Sequence, residues 1–234
     1  FTAYATISAI ISAGAVPIFV DVCEDSYLLD IEKVSSAISQ KTKAIVPVHL
    51  FGNVVDIENL RLVAGQNIYI IEDACQAHGS SLNKIKAGSF GDIGCFSFYP
   101  TKNLGGYGDG GAVITNNNDL YDKIKLMRMY GMTDKDHVAI HGMNSRLDEI
   151  QAAILSVKLK YLDKLNDQRN LIAKKYISGL NNELFKHQNI LKNCLSNYHV
   201  FQSRYMGGRD ALLKLLKENN VQANVYYLFP HHLQ

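Results

Sequence analysis

The sequence has no excess of either charge. Lys and Arg number 24 and Asp and Glu 22, a formal net charge of +2. That is too small to argue for nucleic acid or an anionic membrane as partner. It also lacks a long apolar run. The longest, at 44–51, contains Pro47 and His49 and falls well short of the ~20 residues of a membrane helix. Cysteine is sparse: Cys23, Cys75, Cys95 and Cys194 form no C-x-x-C pair and fit no zinc template. They read as small buried hydrophobes in a reduced compartment. There is no internal repeat and no low-complexity segment. The chain opens on Phe1 rather than Met, so the lack of a leader carries little weight.

What remains is an ordinary globular composition. With 47% hydrophobic and 20% charged residues, a packed core is expected and disorder is not. The length suits one large domain with a small partner.

Strand and helix signals alternate. Short apolar runs at 17–21, 44–49, 68–73, 94–98 and 111–115 read as strands. Pro47 marks the second as an edge or an irregular ladder. Helices are expected at 33–38 behind an Asp30 N-cap, at 57–64, at 119–129 and in a long pattern from 146, with a second helix running past 166. Beyond about 180, a strand at 200–204, a helix at 209–218 and a strand at 221–227 suggest a smaller β-α-β unit. The expected division is 1–160 and 161–234. Such alternation implies a mostly parallel sheet covered on both faces, with ligands beyond the carboxyl ends of its strands.

Three residues stand at such ends. Asp73 closes an apolar strand, where an unpaired carboxylate would be costly and a bound cation would offset that cost; a helix cap explains it equally. Ser97 lies between aromatics and can hydrogen-bond a phosphate or a nearby carbonyl. Lys102 enters a turn with five glycines and one Asp in the next nine residues. In a desolvated site its amine becomes a nucleophile or base; in an open loop it is only a solvated lysine. The glycine spacing matches neither a P-loop nor the G-x-G-x-x-G of a dinucleotide fold.

The order strand-Asp, strand-Ser, then Lys in a glycine turn resembles the DegT/DnrJ/EryC1/StrS family of sugar aminotransferases. So do the segments PVHLFG (47–52), EDACQAHG (72–79), GSFGD (88–92), FSFYPTKNL (96–104) and NSRLDEIQAA (144–153). The likeness runs through the chain. It implies an α/β fold of the type I pyridoxal-phosphate (PLP) transferases, like aspartate aminotransferase. That is a mostly parallel mixed sheet flanked by helices, with a small C-terminal α/β domain. Domain 1–160 would be the large PLP-binding domain without its N-terminal part. Residues 161–234 would be a bridging helix and part of the small domain, so the chain is expected to be a fragment at both ends.

The same resemblance implies roles. Lys102 matches the Schiff-base lysine, Asp73 the carboxylate on the pyridinium nitrogen, Gln76 the neighbour of the ring hydroxyl and Ser97 a phosphate ligand. Asn144 matches a phosphate ligand from the partner subunit of a homodimer. Tyr4 lies near the family's ring-stacking aromatic. His49, His137, His141 and Tyr226 are candidate substrate contacts, although His49 and His78 also suit structural roles at strand ends. The stretch YYLFP (226–230) departs from the family's usual His-Tyr-Pro, so a relative's substrate does not carry over.

The implied reaction is ping-pong transfer of an amino group, with glutamate as donor, to a nucleotide-linked keto-sugar. Its products are amino-sugars for surface polysaccharide, such as lipopolysaccharide O-antigen, or for glycosylated metabolites of bacteria. Two motifs resemble members acting at C3 of dTDP-linked 6-deoxyhexoses more than C4 members. The expected location is the cytoplasm. Two alternatives are a sugar dehydratase of the same family, which has His in place of Lys102, and a non-catalytic or regulatory PLP-binding homologue.

Overall fold

The computed structural model describes residues 1–180, 183–230 and 233. In chain order its elements are α1 (Tyr4–Ser12), α2 (Ile31–Ala37), β1 (Ala44–Ile45), α3 (Ile57–Ala64), β2 (Tyr69–Asp73), β3 (Ser81–Leu82), β4 (Ile85–Lys86), β5 (Ile93–Ser97), β6 (Gly111–Ile114), α4 (Asn118–Met127), α5 (Glu149–Leu159), α6 (Leu162–Gly179), β7 (Phe185–His187), β8 (Cys194–Leu195), β9 (Ser203–Tyr205) and α7 (Arg209–Glu218).

The central sheet has the order β1-β2-β5-β6. Its first three strands are parallel and β6 is antiparallel to β5. Pro47 interrupts the ladder at the β1 edge, because proline has no N–H to donate. The pairing continues past it: Asp73 N–H donates to the Pro47 carbonyl at 2.9 Å and His49 N–H to the Asp73 carbonyl at 3.1 Å. The carboxyl end of β2 is thereby tied down on one side by the 47–49 segment and on the other by β5.

Three apolar clusters hold this frame. Leu28, Val34, Leu50, Phe51, Val55, Ile57, Leu60 and Ile70 form the largest. Val54, Ala74, Ala77, Leu82 and Ala87 fill the space beneath the loop after β2. Leu104 packs with Leu155 of α5 and Leu162 of α6, with Phe98 and Leu147 against them. This third cluster fastens the glycine-rich turn after β5 to the two helices.

Two expected strands are absent. Residues 17–21 carry no ladder; only Val22 makes a bridge, to Leu29, and Val16, Ile18 and Phe19 are exposed. Their apolar pattern marks a surface to be covered, but no described strand offers them an edge. Residues 221–227 are likewise not a strand. The β-α-β unit does not form because β9 pairs antiparallel with β7, where the Phe185 and Tyr205 rings pack at a tilt, 4.9 Å apart. The helical pattern from 146 starts at Glu149 and breaks after Leu159 into α5 and α6. Among the described residues no helix is long and apolar enough to cross a membrane.

Candidate active site

Asp73 ends β2 and is 9% exposed. Its Oδ2 accepts from the Thr6 hydroxyl at 2.5 Å and its Oδ1 from the Cys75 N–H at 3.1 Å. Among the described residues it makes no ion pair. A half-buried cation is nonetheless within electrostatic reach. Burial pulls the Lys102 amine below its ordinary pKa, and the Cys75 and Asp73 groups partly oppose that shift. The pair therefore attract without touching.

Lys102 follows β5. Its N–H donates to the Tyr99 carbonyl at 2.9 Å, and the Gly106 N–H returns to the Phe98 carbonyl at 2.7 Å, so the chain turns tightly around the lysine. A Cβ at Gly105 would lie 2.4 Å from the Pro100 carbonyl oxygen, which reserves that position for glycine. At the end of the same strand, Ser97 Oγ accepts from the Tyr99 N–H at 3.2 Å. As an acceptor in that bond the hydroxyl keeps its own hydrogen for another partner.

Gln76 is buried, and its Oε1 accepts from the Phe51 N–H at 2.7 Å. Its side chain also hydrogen-bonds the Tyr227 hydroxyl, whose pKa burial raises. Around this point Phe51, Tyr226, Tyr227 and Phe1 pack edge to face at 5.4–6.2 Å. Phe51 sits at φ 61°, a left-handed conformation costly for an aromatic residue. It is held there by its own burial and by the Gln76 bond.

His78 packs on Phe96 and Phe98 at 5.3 and 6.1 Å. Burial, with the Lys102 charge, lowers its pKa to about 4, and the nearby Ser97 backbone opposes this weakly. Neither ring nitrogen has a well-formed hydrogen bond. The ring is therefore neutral near pH 7.

The structure brings Asp73, Lys102 and His78 together, with Ser97 and Gln76 on the same strand ends. It separates others. Tyr4 opens α1 and is 59% exposed, and Thr6, two residues on, is the one that reaches Asp73. Asn144 is exposed; it accepts from Arg146 Nε at 2.8 Å and bridges Met129. His137 is exposed on Asp134 at 2.8 Å, and His141 is exposed in the same stretch. The expectation that His49 contacts substrate is corrected. It is fully buried, its Nε2 donates to Glu72 Oε2 at 2.8 Å, and its Nδ1 accepts from the Val55 N–H at 3.0 Å. Both nitrogens are occupied by partners within the protein.

Sequence reasoning missed Thr6, Asn103 and His199. Asn103 directly follows Lys102, and His199 bonds its side chain at 3.0 Å. Only the position of Asn103 in the quoted motif gave any signal; the other two are brought in by the fold.

Comparison with known proteins bears out the family resemblance. A profile of the DegT/DnrJ/EryC1/StrS aminotransferase family matches residues 1–234. A protein named pleiotropic regulatory protein, from Geobacillus stearothermophilus, is 42% identical over 100% of this chain and 64% of its own length. A dTDP-3-amino-3,4,6-trideoxy-alpha-D-glucose transaminase from Micromonospora megalomicea subsp. nigra is 41% identical over 99% of this chain and 63% of its own. The crystal structure of NtdA from Bacillus subtilis with bound cofactor PMP superposes with a TM-score of 0.90. It is 33% identical and covers 100% of this chain and 55% of its own. The chain thus spans about 64% of the curated relatives' length. Its fold is that of the type I PLP-dependent transferases, and it belongs to the DegT/DnrJ/EryC1/StrS aminotransferase family.

Proposed function

We propose that this protein carries out PLP-dependent transfer of an amino group, with glutamate as donor, to a nucleotide-linked keto-sugar in the cytoplasm. One observation carries the reading. A half-buried lysine of lowered pKa and a buried carboxylate that makes no ion pair among the described residues lie at the carboxyl ends of the neighbouring strands β5 and β2. The residues fit PLP: an amine to hold it, a carboxylate to balance a cationic ring nitrogen, and a serine hydroxyl with a hydrogen left to donate. Support also comes from the transaminase named among its relatives and the PMP bound in NtdA.

When bound, the cofactor supplies an electron sink and carries the amino group. Lys102 Nζ would hold it, and as a free amine would accept and return a proton as base and then acid. Burial lowers the pKa of that amine and so favours the free base that the first of these steps needs. Asp73, oriented by Thr6 and by the Cys75 N–H, keeps the ring nitrogen protonated. Gln76 takes the place beside the ring hydroxyl, and Ser97 binds the phosphate. In a homodimer Asn144 would reach the phosphate of the partner subunit's site, and Tyr4 would come against the ring from the exposed start of α1. His137, His141 and Tyr226 border the sugar, with C3 of a dTDP-3-keto-6-deoxyhexose as the reacting position. We assign 1–160 to the large domain and 161–234 to the bridging helix and small domain.

The test is to add PLP to the full-length protein and follow the visible band of the lysine-bound cofactor. Lys102→Ala should abolish both the band and amino transfer; a variant that keeps both overturns the assignment. A wild type with the band but no turnover on any of a panel of nucleotide keto-sugars favours a regulatory role instead, as the name of the Geobacillus relative suggests.

A further inference from the structure

Behind Lys102 lies a chain of buried amide groups far apart in sequence. Asn103 Nδ2 donates to Asn166 Oδ1 of α6 at 2.9 Å and to the Asn197 carbonyl at 3.1 Å. Asn166 Nδ2 and Asn197 Nδ2 both donate to the His78 carbonyl, at 2.9 and 3.0 Å. Asn197 Oδ1 accepts from the His199 N–H at 3.0 Å. His199 Nδ1 lies 3.0 Å from Asn103 Oδ1. Asn166 and Asn197 are 7% and 1% exposed.

The network admits only one direction. Backbone groups fix its ends: a carbonyl can only accept and an N–H can only donate. The His78 carbonyl therefore sets the amide of Asn166, and together with the His199 N–H it sets that of Asn197. The Asn197 carbonyl and Asn166 Oδ1 then use both hydrogens of Asn103 Nδ2. Asn103 Oδ1 is left as an acceptor, so His199 must carry its proton on Nδ1. The ring is neutral, since burial, followed by the Lys102 and Arg169 charges, lowers its pKa to about 3.

We propose that His199 and Asn103 are a positioning pair that fixes the turn carrying Lys102, so that the 194–199 segment and α6 set where the reactive amine points. This rests on the function proposed above. The amine lies in the field of Asp73, Cys75, His78 and His199, and its burial depends on the turn staying in place. Neither His199 nor Asn103 needs to touch substrate.

The choice of nitrogen makes the claim testable. An asparagine amide occupies the place of a histidine Nδ1, whereas a glutamine amide occupies that of Nε2. His199→Asn should keep the bond to Asn103; His199→Gln and His199→Phe should lose it. The full-length protein, free of cofactor, is labelled with acetic anhydride across a pH series. Acetylation of Lys102 is read by mass spectrometry, with the exposed Lys123 as internal control. In the Gln and Phe variants the midpoint of the Lys102 curve moves up towards that of an ordinary lysine; in the Asn variant it stays at the wild-type position, and Lys123 is unchanged throughout. With cofactor, kcat falls roughly 10- to 100-fold in the Gln and Phe variants, as displacement of a reacting group does, while the KM for the amino donor holds.

A wild-type midpoint in His199→Gln overturns the proposal, as does an Asn variant that shifts like the Phe one. Should His199→Phe not fold, the two polar variants still decide. A wild type that takes up no cofactor sinks the functional reading instead, and the labelling comparison is unaffected by that outcome.

Discussion

Glu72 is a carboxylate wholly out of water, and such a group persists only when every lone pair is used. It accepts from His49 Nε2 and from the N–H groups of Gly88, Phe90 and Gly91, at 2.6–2.8 Å. Burial alone would raise its pKa; the His49 bond and the Gly91 and Gly88 amides outweigh that and hold it below the ordinary value. Glu72→Gln would turn one acceptor into a donor facing donors, at an expected cost of about 3–5 kcal/mol, read by urea denaturation. The sign in pH follows. A carboxylate whose pKa is lower folded than unfolded stabilises above its unfolded pKa of roughly 4.3, and that contribution is lost as pH falls through the folded value. The acid limb of the wild-type stability curve should therefore be steeper than that of the Gln variant. Thr6→Val tests the other carboxylate. It keeps the shape of the side chain and removes the hydroxyl on Asp73. A hydrogen bond to a charged group contributes about 1.5–3 kcal/mol, so amino transfer should fall by roughly tenfold or more in steady-state kinetics. At this scale the strand-end positions of Asp73 and Ser97 were legible from pattern, whereas roles for them and for Lys102 came only with the family resemblance. For His49 the structural alternative holds, but its partner lies 23 residues away, and no local pattern shows that pairing.

The turn after β5 shows how helices built later in the chain hold a residue that comes before them. Leu104 is two positions past Lys102 and packs against Leu155 and Leu162. Truncating a buried leucine costs about 2–5 kcal/mol, depending on how far the site collapses. Leu104→Ala should therefore lose stability in that range by thermal or urea unfolding. Leu155→Ala should lose a similar amount, since it opens the same cavity from the other side. Elements of this kind were read well from the sequence where the signal was local. The helix expected at 57–64 is α3, capped by Asp56 Oδ1 accepting from the Asn59 N–H, and β2, β5 and β6 fall within a residue of expectation. The misses were those whose outcome depends on a distant partner. Apolar runs at 17–21 and 221–227 ask for cover but do not say what covers them. The second helix expected past 166 is α6, but its start at Leu162 was hidden because apolar residues continue at helical spacing through that position.

Across the whole molecule, segments from both sides of the 160/161 division are knitted together. β8 extends the β4-β3 ladder, pairing Leu195 with Ser81 and Cys194 with Leu82. Gln188 Nε2 donates to the Ser26 carbonyl, the Asn189 N–H to the Asp25 carbonyl and Asn53 Nδ2 to the Asn189 carbonyl, at 2.7–2.9 Å. Asn170 Nδ2 joins Ser196 to α6, and the Asn103 network adds its bonds. None of this was legible from the sequence, because the linking residues are polar and show no periodicity. Their energetics decide how the chain unfolds. Each bond contributes only about 0.5–1.5 kcal/mol net, but opening the 194–199 segment alone would strand several buried partners at roughly 1–3 kcal/mol each. That sum approaches the ~5–15 kcal/mol of a whole domain, so the segment has no low-energy way to open by itself. In the full-length protein, native-state hydrogen exchange should give the Asn197 and His199 amides the same opening free energy and urea dependence as those of Asp73 and Ala74. Exchange of Asn197 and His199 several kcal/mol easier than β2, with a shallow urea slope, would mean that the segment opens independently; the turn carrying Lys102 would then be held by α5 and α6 alone.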